Sequence, residues 1–206
     1  MRCLVSCLAL ALASVVSWSL TALAQSSQAG LAKNASGVLV AVRTDGTESR
    51  LRGRGALQLF EGDTVRVDGD GQALIETDEG IQVVLNANAA VKLLSRWEKG
   101  RALTRILRLQ RGELLARSRY LQQALEIETP AAVLAARAAE VSLRLVSDNE
   151  ALAIVVEGTA ELATPLSSCQ LRPGTVSTGS RGRPCTTPAP ADVRSLTRWS
   201  RALLAQ

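Results

Sequence analysis

The sequence predicts an all-β domain that ends in a short helix, and three observations carry that expectation. Apolar and polar residues alternate with a period of two through most of the chain. Asp-Gly and Glu-Gly turns break the alternation about every ten residues. A helical apolar period emerges only near the C-terminus, at Val193, Leu196, Trp199 and Leu203. Short strands spaced by such turns suit duplicated β-hairpin units packed as a sandwich or as a solenoid-like β domain.

The first segment reads as an address. Met1-Arg2 supplies a positive charge, Cys3 to Leu23 is almost continuously apolar, and Ala22-Leu23-Ala24 offers the small-x-small pattern of a signal-peptidase site. Residues 1–24 are therefore expected to be a signal peptide, with Gln25 the first mature residue, against the alternative of an uncleaved anchor. Cys3 and Cys7 would leave with it. Residues 25–35, small and polar, are expected to form a flexible leader.

The β domain is expected over 36–163. Val38, Val40 and Val42 alternate up to the Thr44-Asp45-Gly46-Thr47 turn, a strong hairpin signal because glycine tolerates the positive φ of a tight turn. Thr64-Val65-Arg66-Val67 follows the Glu61-Gly62-Asp63 turn, and further turns fall at Asp68–Gly71 and Asp78–Gly80. Ile75-Glu76-Thr77 recurs as Ile127-Glu128-Thr129; at the same offset Val91–Ser95 becomes Leu143–Ser147, which points to a duplicated β unit. An apolar-x-x-Gly element recurs at Leu59–Gly62, Leu109–Gly112, Val155–Gly158 and Leu171–Gly174. The alanine-rich run Ala131–Ala139 has helical propensity, but its counterpart in the first copy alternates as a strand, and strand is the reading adopted.

Residues 164–191 carry most of the proline and the pair Cys169 and Cys185, and are expected to form a loop clipped by a disulfide, favoured in an oxidising compartment. Residues 192–206 are expected to form an amphipathic helix with Asp192 as its N-cap. No later stretch is long and apolar enough to span a bilayer, so no stable transmembrane span is expected after signal cleavage.

Composition removes whole classes of chemistry. Histidine is absent, which excludes the usual catalytic triad, most zinc sites and the common neutral-pH acid–base group. No glycine-rich phosphate loop leads into a helix, and no cofactor is expected. Paired carboxylates among Glu76, Asp78, Glu79, Glu126 and Glu128 leave a cell-wall hydrolase as the outlying alternative. The net charge of +5 comes with one ring, Trp18 in the expected signal peptide, beyond Phe60, Trp97, Tyr120 and Trp199, too few to stack bases, so nucleic acid is not an expected partner. Two arginine groups stand out. Arg43, Arg50, Arg52 and Arg54 flank one loop; Arg101, Arg105, Arg108, Arg111, Arg117 and Arg119 flank another. Arginine suits bidentate contact with carboxylate or phosphate, so either group could meet a protein partner or an anionic envelope polymer, or could be a solvated face protecting edge strands.

In order, Leu59-Phe60-Glu61-Gly62-Asp63, Gly71-Gln72-Ala73-Leu74-Ile75-Glu76, Leu109–Leu114, Thr129-Pro130-Ala131-Ala132-Val133 and Val156–Glu161 resemble the blocks of FecR-type periplasmic domains. The resemblance implies a non-catalytic, all-β extracytoplasmic module that senses or binds, or a structural accessory subunit of an envelope assembly. Family members best known for it relay a signal to a sigma factor. This chain shows no cytoplasmic segment before its apolar run, and relay by the chain itself is not expected. The family also carries arginine where Arg137 stands. Counting by twos from Val133 places Arg137 among Ala135, Ala139, Val141 and Leu143, so it is expected to point inward as a structural buried arginine, with a ligand-binding arginine in a cleft as the alternative.

Overall fold

The structure, a computed structural model, describes residues 27–97 and 103–205. The expected signal peptide, its cleavage site, and Arg101 lie outside the described residues. The chain runs through β1 (Gln28–Val42), β2 (Glu48–Phe60), β3 (Thr64–Thr77), β4 (Gln82–Leu85), β5 (Ala90–Arg96), β6 (Thr104–Arg111) and β7 (Glu113–Arg117). It continues through β8 (Ala124–Glu128), β9 (Val133–Ser147), β10 (Glu150–Thr164), β11 (Ser167–Leu171), β12 (Thr175–Ser180) and β13 (Ala189–Pro190). The helical end comprises α1 (Val193–Leu196), a 3-10 turn at Arg198–Ser200 and α2 (Arg201–Leu204).

Seven strands close on themselves in the order β9-β7-β4-β3-β5-β6-β8, because β8 pairs in parallel with β6 and antiparallel with β9. The domain is therefore a barrel with added strands, in place of the expected sandwich or solenoid. Closure follows from long strands that bend. β4 and β5 share one edge of β3, Val83 opposite Ile75 and Val91 opposite Val65, with the chain kinked at Asn86–Ala89 between them. β9 kinks at Arg137–Ala139, where its register with β10 shifts. Asn88 and Ala138 take φ of 57° and 46° at these two kinks, the left-handed region that side chains avoid outside such irregularities.

The recurring apolar-x-x-Gly element explains how the kinks fit. A Cβ on Gly112 would stand 2.7 Å from Ala89 Cα, and one on Gly158 would stand 2.8 Å from Ala139 Cα. Each glycine lets one strand press against the bend of its neighbour. Two of the hairpins close in a similar way. The β3–β4 and β8–β9 hairpins both close on a threonine, with Ile81 N–H donating to Thr77 Oγ1 (3.2 Å) and Ala132 N–H to Thr129 Oγ1 (3.0 Å). The alanine-rich run is strand from Val133 onward, as expected there, while Ala131 and Ala132 belong to the turn before it.

Two segments expected to be irregular are ordered. Residues 28–35 form the first half of β1, held between β2 and β3, with Ala29, Ala32 and Ala35 buried. Their smallness is what lets a strand lie there. Within 164–191, β11, β12 and β13 extend the sheet from β10, and Leu171 and Ser177 are buried. Cys169 and Cys185 are joined, their Cα atoms 6.3 Å apart, tying β11 to the stretch before β13. At the C-terminus Asp192 Oδ1 accepts from Ser195 N–H (3.1 Å), so the cap forms as expected. The continuous helix does not. Thr197 and Ser200 hydroxyls donate to the Val193 and Thr197 carbonyls, and the segment breaks into single turns. Leu203 and Leu204 pack on Leu74, Val84 and Leu115, on the outside of the barrel. Among the described residues no helix is long and apolar enough to cross a membrane.

Candidate functional site

One end of the barrel is built around a buried charge. Arg105, in β6, sits on the apolar face with Leu107 and Leu109 and is only 1% exposed. Its guanidinium donates to Glu79 through Nε (3.1 Å) and Nη2 (2.6 Å), and to Glu61 through Nη1 (2.5 Å). Glu61 lies in the β2–β3 turn and Glu79 in the β3–β4 turn, so one side chain ties three elements. Burial raises the Glu79 carboxyl, but the hydrogen bonds and charge of Arg105 outweigh it and hold Glu79 below its ordinary range. Burial likewise opposes the Arg105 charge, and Glu79 and then Glu61 reverse that, leaving it raised. Both partners keep a solvent-facing side, so the clamp need not desolvate two full ion pairs.

The clamp supports a loop. Gln123, 7% exposed, donates to the Glu79 carbonyl (2.5 Å) and accepts from the Arg119 N–H (2.7 Å) and the Tyr120 N–H (3.1 Å). The β7–β8 loop thereby turns Tyr120 and Leu121 outward, 63% and 73% exposed. Trp97, 77% exposed, leaves β5 at the same end, because Arg96 pairs with Thr104 and Thr104 with Ala124. Three large apolar side chains thus stand exposed on the rim at this end of the barrel.

A shallow groove of about 320 Å³ opens beside the rim on the outer face of β8, β9 and β10. Leu121 overhangs it, Glu126 and Glu161 line it, and Arg137 stands in it. The buried structural role expected for Arg137 is overturned, since the residue is exposed. The kink at Ala138 is the reason. Leu134 and Ala136 face inward before it, and Ala139, Val141 and Leu143 after it, so a count by twos carried through the kink changes face. Arg137 has no ion pair among the described residues.

The other arginine group divides. Arg43 stacks over the Phe60 ring at 3.8 Å and approaches the buried Asp63 at 4.0 Å, a structural placement. Arg50, Arg52 and Arg54 are exposed on β2. The acidic residues weighed for hydrolysis are engaged otherwise. Glu126 pairs with Arg96 (3.0 Å), Glu128 with Arg108 (2.9 Å), Glu76 with Lys33, and Asp78 accepts from Gln28 (2.9 Å).

Residues 63–161 match the model of the FecR protein family. The chain carries a FecR domain. The matched segment holds all seven barrel strands, while β1, β2 and β11–β13 lie outside it. Two crystal structures of a protein from Parabacteroides distasonis, provisionally described as an anti-sigma factor, share the fold, with TM-scores of 0.55 and 0.54 at 17% and 18% identity. In each case the alignment covers 66% of this chain and 63% of that one. No curated protein matches the sequence.

Sequence reasoning grouped Arg105 with its neighbours but did not single it out, although the count by twos applied to Arg137 works for it: Arg105, Leu107 and Leu109 alternate without a kink. The rim of the FecR domain carried a signal as well. Arg96-Trp97-Glu98-Lys99 and Arg119-Tyr120-Leu121-Gln122-Gln123 set large apolar residues in polar company, a placement that core aromatics avoid. Gln123 carried none, because its role depends on a carbonyl distant in sequence.

Proposed function

We propose that this protein is an exported, non-catalytic sensing module of the bacterial envelope that engages a protein partner through the rim and groove of its FecR domain. The observation that carries the reading is the gathering of Trp97, Tyr120 and Leu121 at the end of the barrel where Arg137 is exposed, with no ion pair among the described residues. Aromatic residues and arginine supply most of the energy at protein interfaces, where burying an exposed aromatic side chain contributes about 1–3 kcal/mol. The Arg105 clamp and Gln123 hold the rim in place before binding, which lowers the ordering cost of association. Export is supported by the N-terminal apolar run and the disulfide; sequencing the protein from an envelope fraction should find Gln25 first.

A photocrosslinking residue at position 120 tests the interface in cells, with position 166, exposed in the β10–β11 turn, as the reference. A discrete protein adduct is expected at 120 and not at 166, and it should disappear when Trp97→Ser and Leu121→Ser are combined. Equal labelling at both positions, or an adduct indifferent to those substitutions, would remove the rim from the function.

A further inference from the structure

We infer that the free edge of β2 accepts an extended acidic protein segment as an added strand, on a surface separate from the rim. β2 is long, Glu48–Phe60, and among the described residues it pairs with β1 alone. Its second edge therefore offers a row of backbone donors and acceptors with no strand opposite. Arg50 and Arg52 point from this strand to the outer face, since Leu51 between them packs on the core. Arg54 stands at the bulge where β1 and β2 lose register.

The charge on that face is one-sided. Arg50 lies across Val40 from Arg66, and Arg52 lies across Val38 from Asp68. The acids are already taken: Glu48 pairs with Arg50 (3.1 Å) and Arg66 (3.4 Å), and Asp68 pairs with Arg66 (3.1 Å). Arg52 and Arg54 have no ion pair among the described residues.

Outward side chains along a strand recur about every 6.6 Å, so a strand laid on β2 would present its own alternate side chains at the spacing of Arg50 and Arg52. Glutamate or aspartate at those places would give Arg52 a partner and Arg50 a second one beside Glu48. A second copy of this chain would instead set arginine against arginine. The same arginines that keep β2 from pairing with itself thus select an acidic strand.

The probe is a synthetic alternating peptide, (Thr-Glu)₄ with blocked ends, against (Thr-Lys)₄, added to the full chain while backbone amide exchange is followed. (Thr-Glu)₄ should slow exchange within 48–60 and leave the rim loop at 118–123 unchanged, and (Thr-Lys)₄ should do neither. Combined R50A, R52A and R54A should weaken binding about tenfold, as three exposed charge contacts together allow. R52A alone, at an exposed position, should weaken it about twofold should the triple variant not fold. No slowing within 48–60 at millimolar (Thr-Glu)₄ would overturn the inference. So would equal slowing by polyphosphate, which would make the face a general polyanion site. Rim substitutions at Trp97 and Leu121 should leave this binding intact, so this surface and the rim can fail independently.

Discussion

Arg105 on β6 and Arg137 on β9 flank β8, the strand that closes the barrel, yet one is a buried clamp and the other is exposed. Arg105, Leu125 and Ala136 form one cross-strand row facing the core. Arg137 is one residue further along β9 and faces out. The inward position brings two carboxylates within hydrogen-bonding distance of Arg105, and the outward position leaves Arg137 with solvent and a groove. A single residue of register separates structural from recognitive use of the same side chain.

The largest effect should come from breaking the clamp. Arg105→Ala leaves Glu61 and Glu79 without their counter-ion beneath the rim, and urea unfolding should show a loss of about 3 kcal/mol or more. A smaller loss, about 2 kcal/mol, is expected for Gly158→Ala, which places a Cβ against the kink beside Arg137 at a φ of 75°. If Gly158→Ala costs nothing, the kink that turns Arg137 outward is not held by this glycine.

Acidification probes the clamp more gently. Glu79 is held below its ordinary range, so its contribution is present above the unfolded-state value near pH 4 and is lost as pH falls through the folded one. Asp63 runs the other way: burial raises its carboxyl despite the Phe60 N–H and Arg43, so its protonation on acidification favours the folded state. Glu79→Gln should therefore cost about 1–2 kcal/mol at neutral pH, a cost that shrinks as pH falls through the lowered folded-state value of Glu79. Its unfolding midpoint should fall less steeply with acid than that of the wild type. Parallel acid profiles would mean that Glu79 is not a principal acid-sensitive contact.

The sequence made the strands legible wherever alternation ran unbroken, as in Thr104–Arg111 and Thr64–Val67, and the turns wherever Asp-Gly or Glu-Gly forced them. It hid the barrel, because closure depends on the parallel β6–β8 pairing, and pairing partners leave no local trace. It hid the order of residues 28–35 for a related reason: small residues look like a linker until a strand lies on each side of them. At Arg137 the alternation itself misled. The Ala138 kink lies within an alanine-rich run, between Arg137 and Ala139, and the glycine at 158, distant in sequence, makes room for it.

The smallest expected change is the most direct test of the account, which rests on Arg105 facing in and Arg137 facing out. Arg137→Ala should leave the urea unfolding curve within about 0.5 kcal/mol of the wild type, as for an exposed side chain with no ion pair among the described residues. A loss near 3 kcal/mol would place Arg137 in the core, reverse the assigned face of β9 and remove the groove from the binding surface.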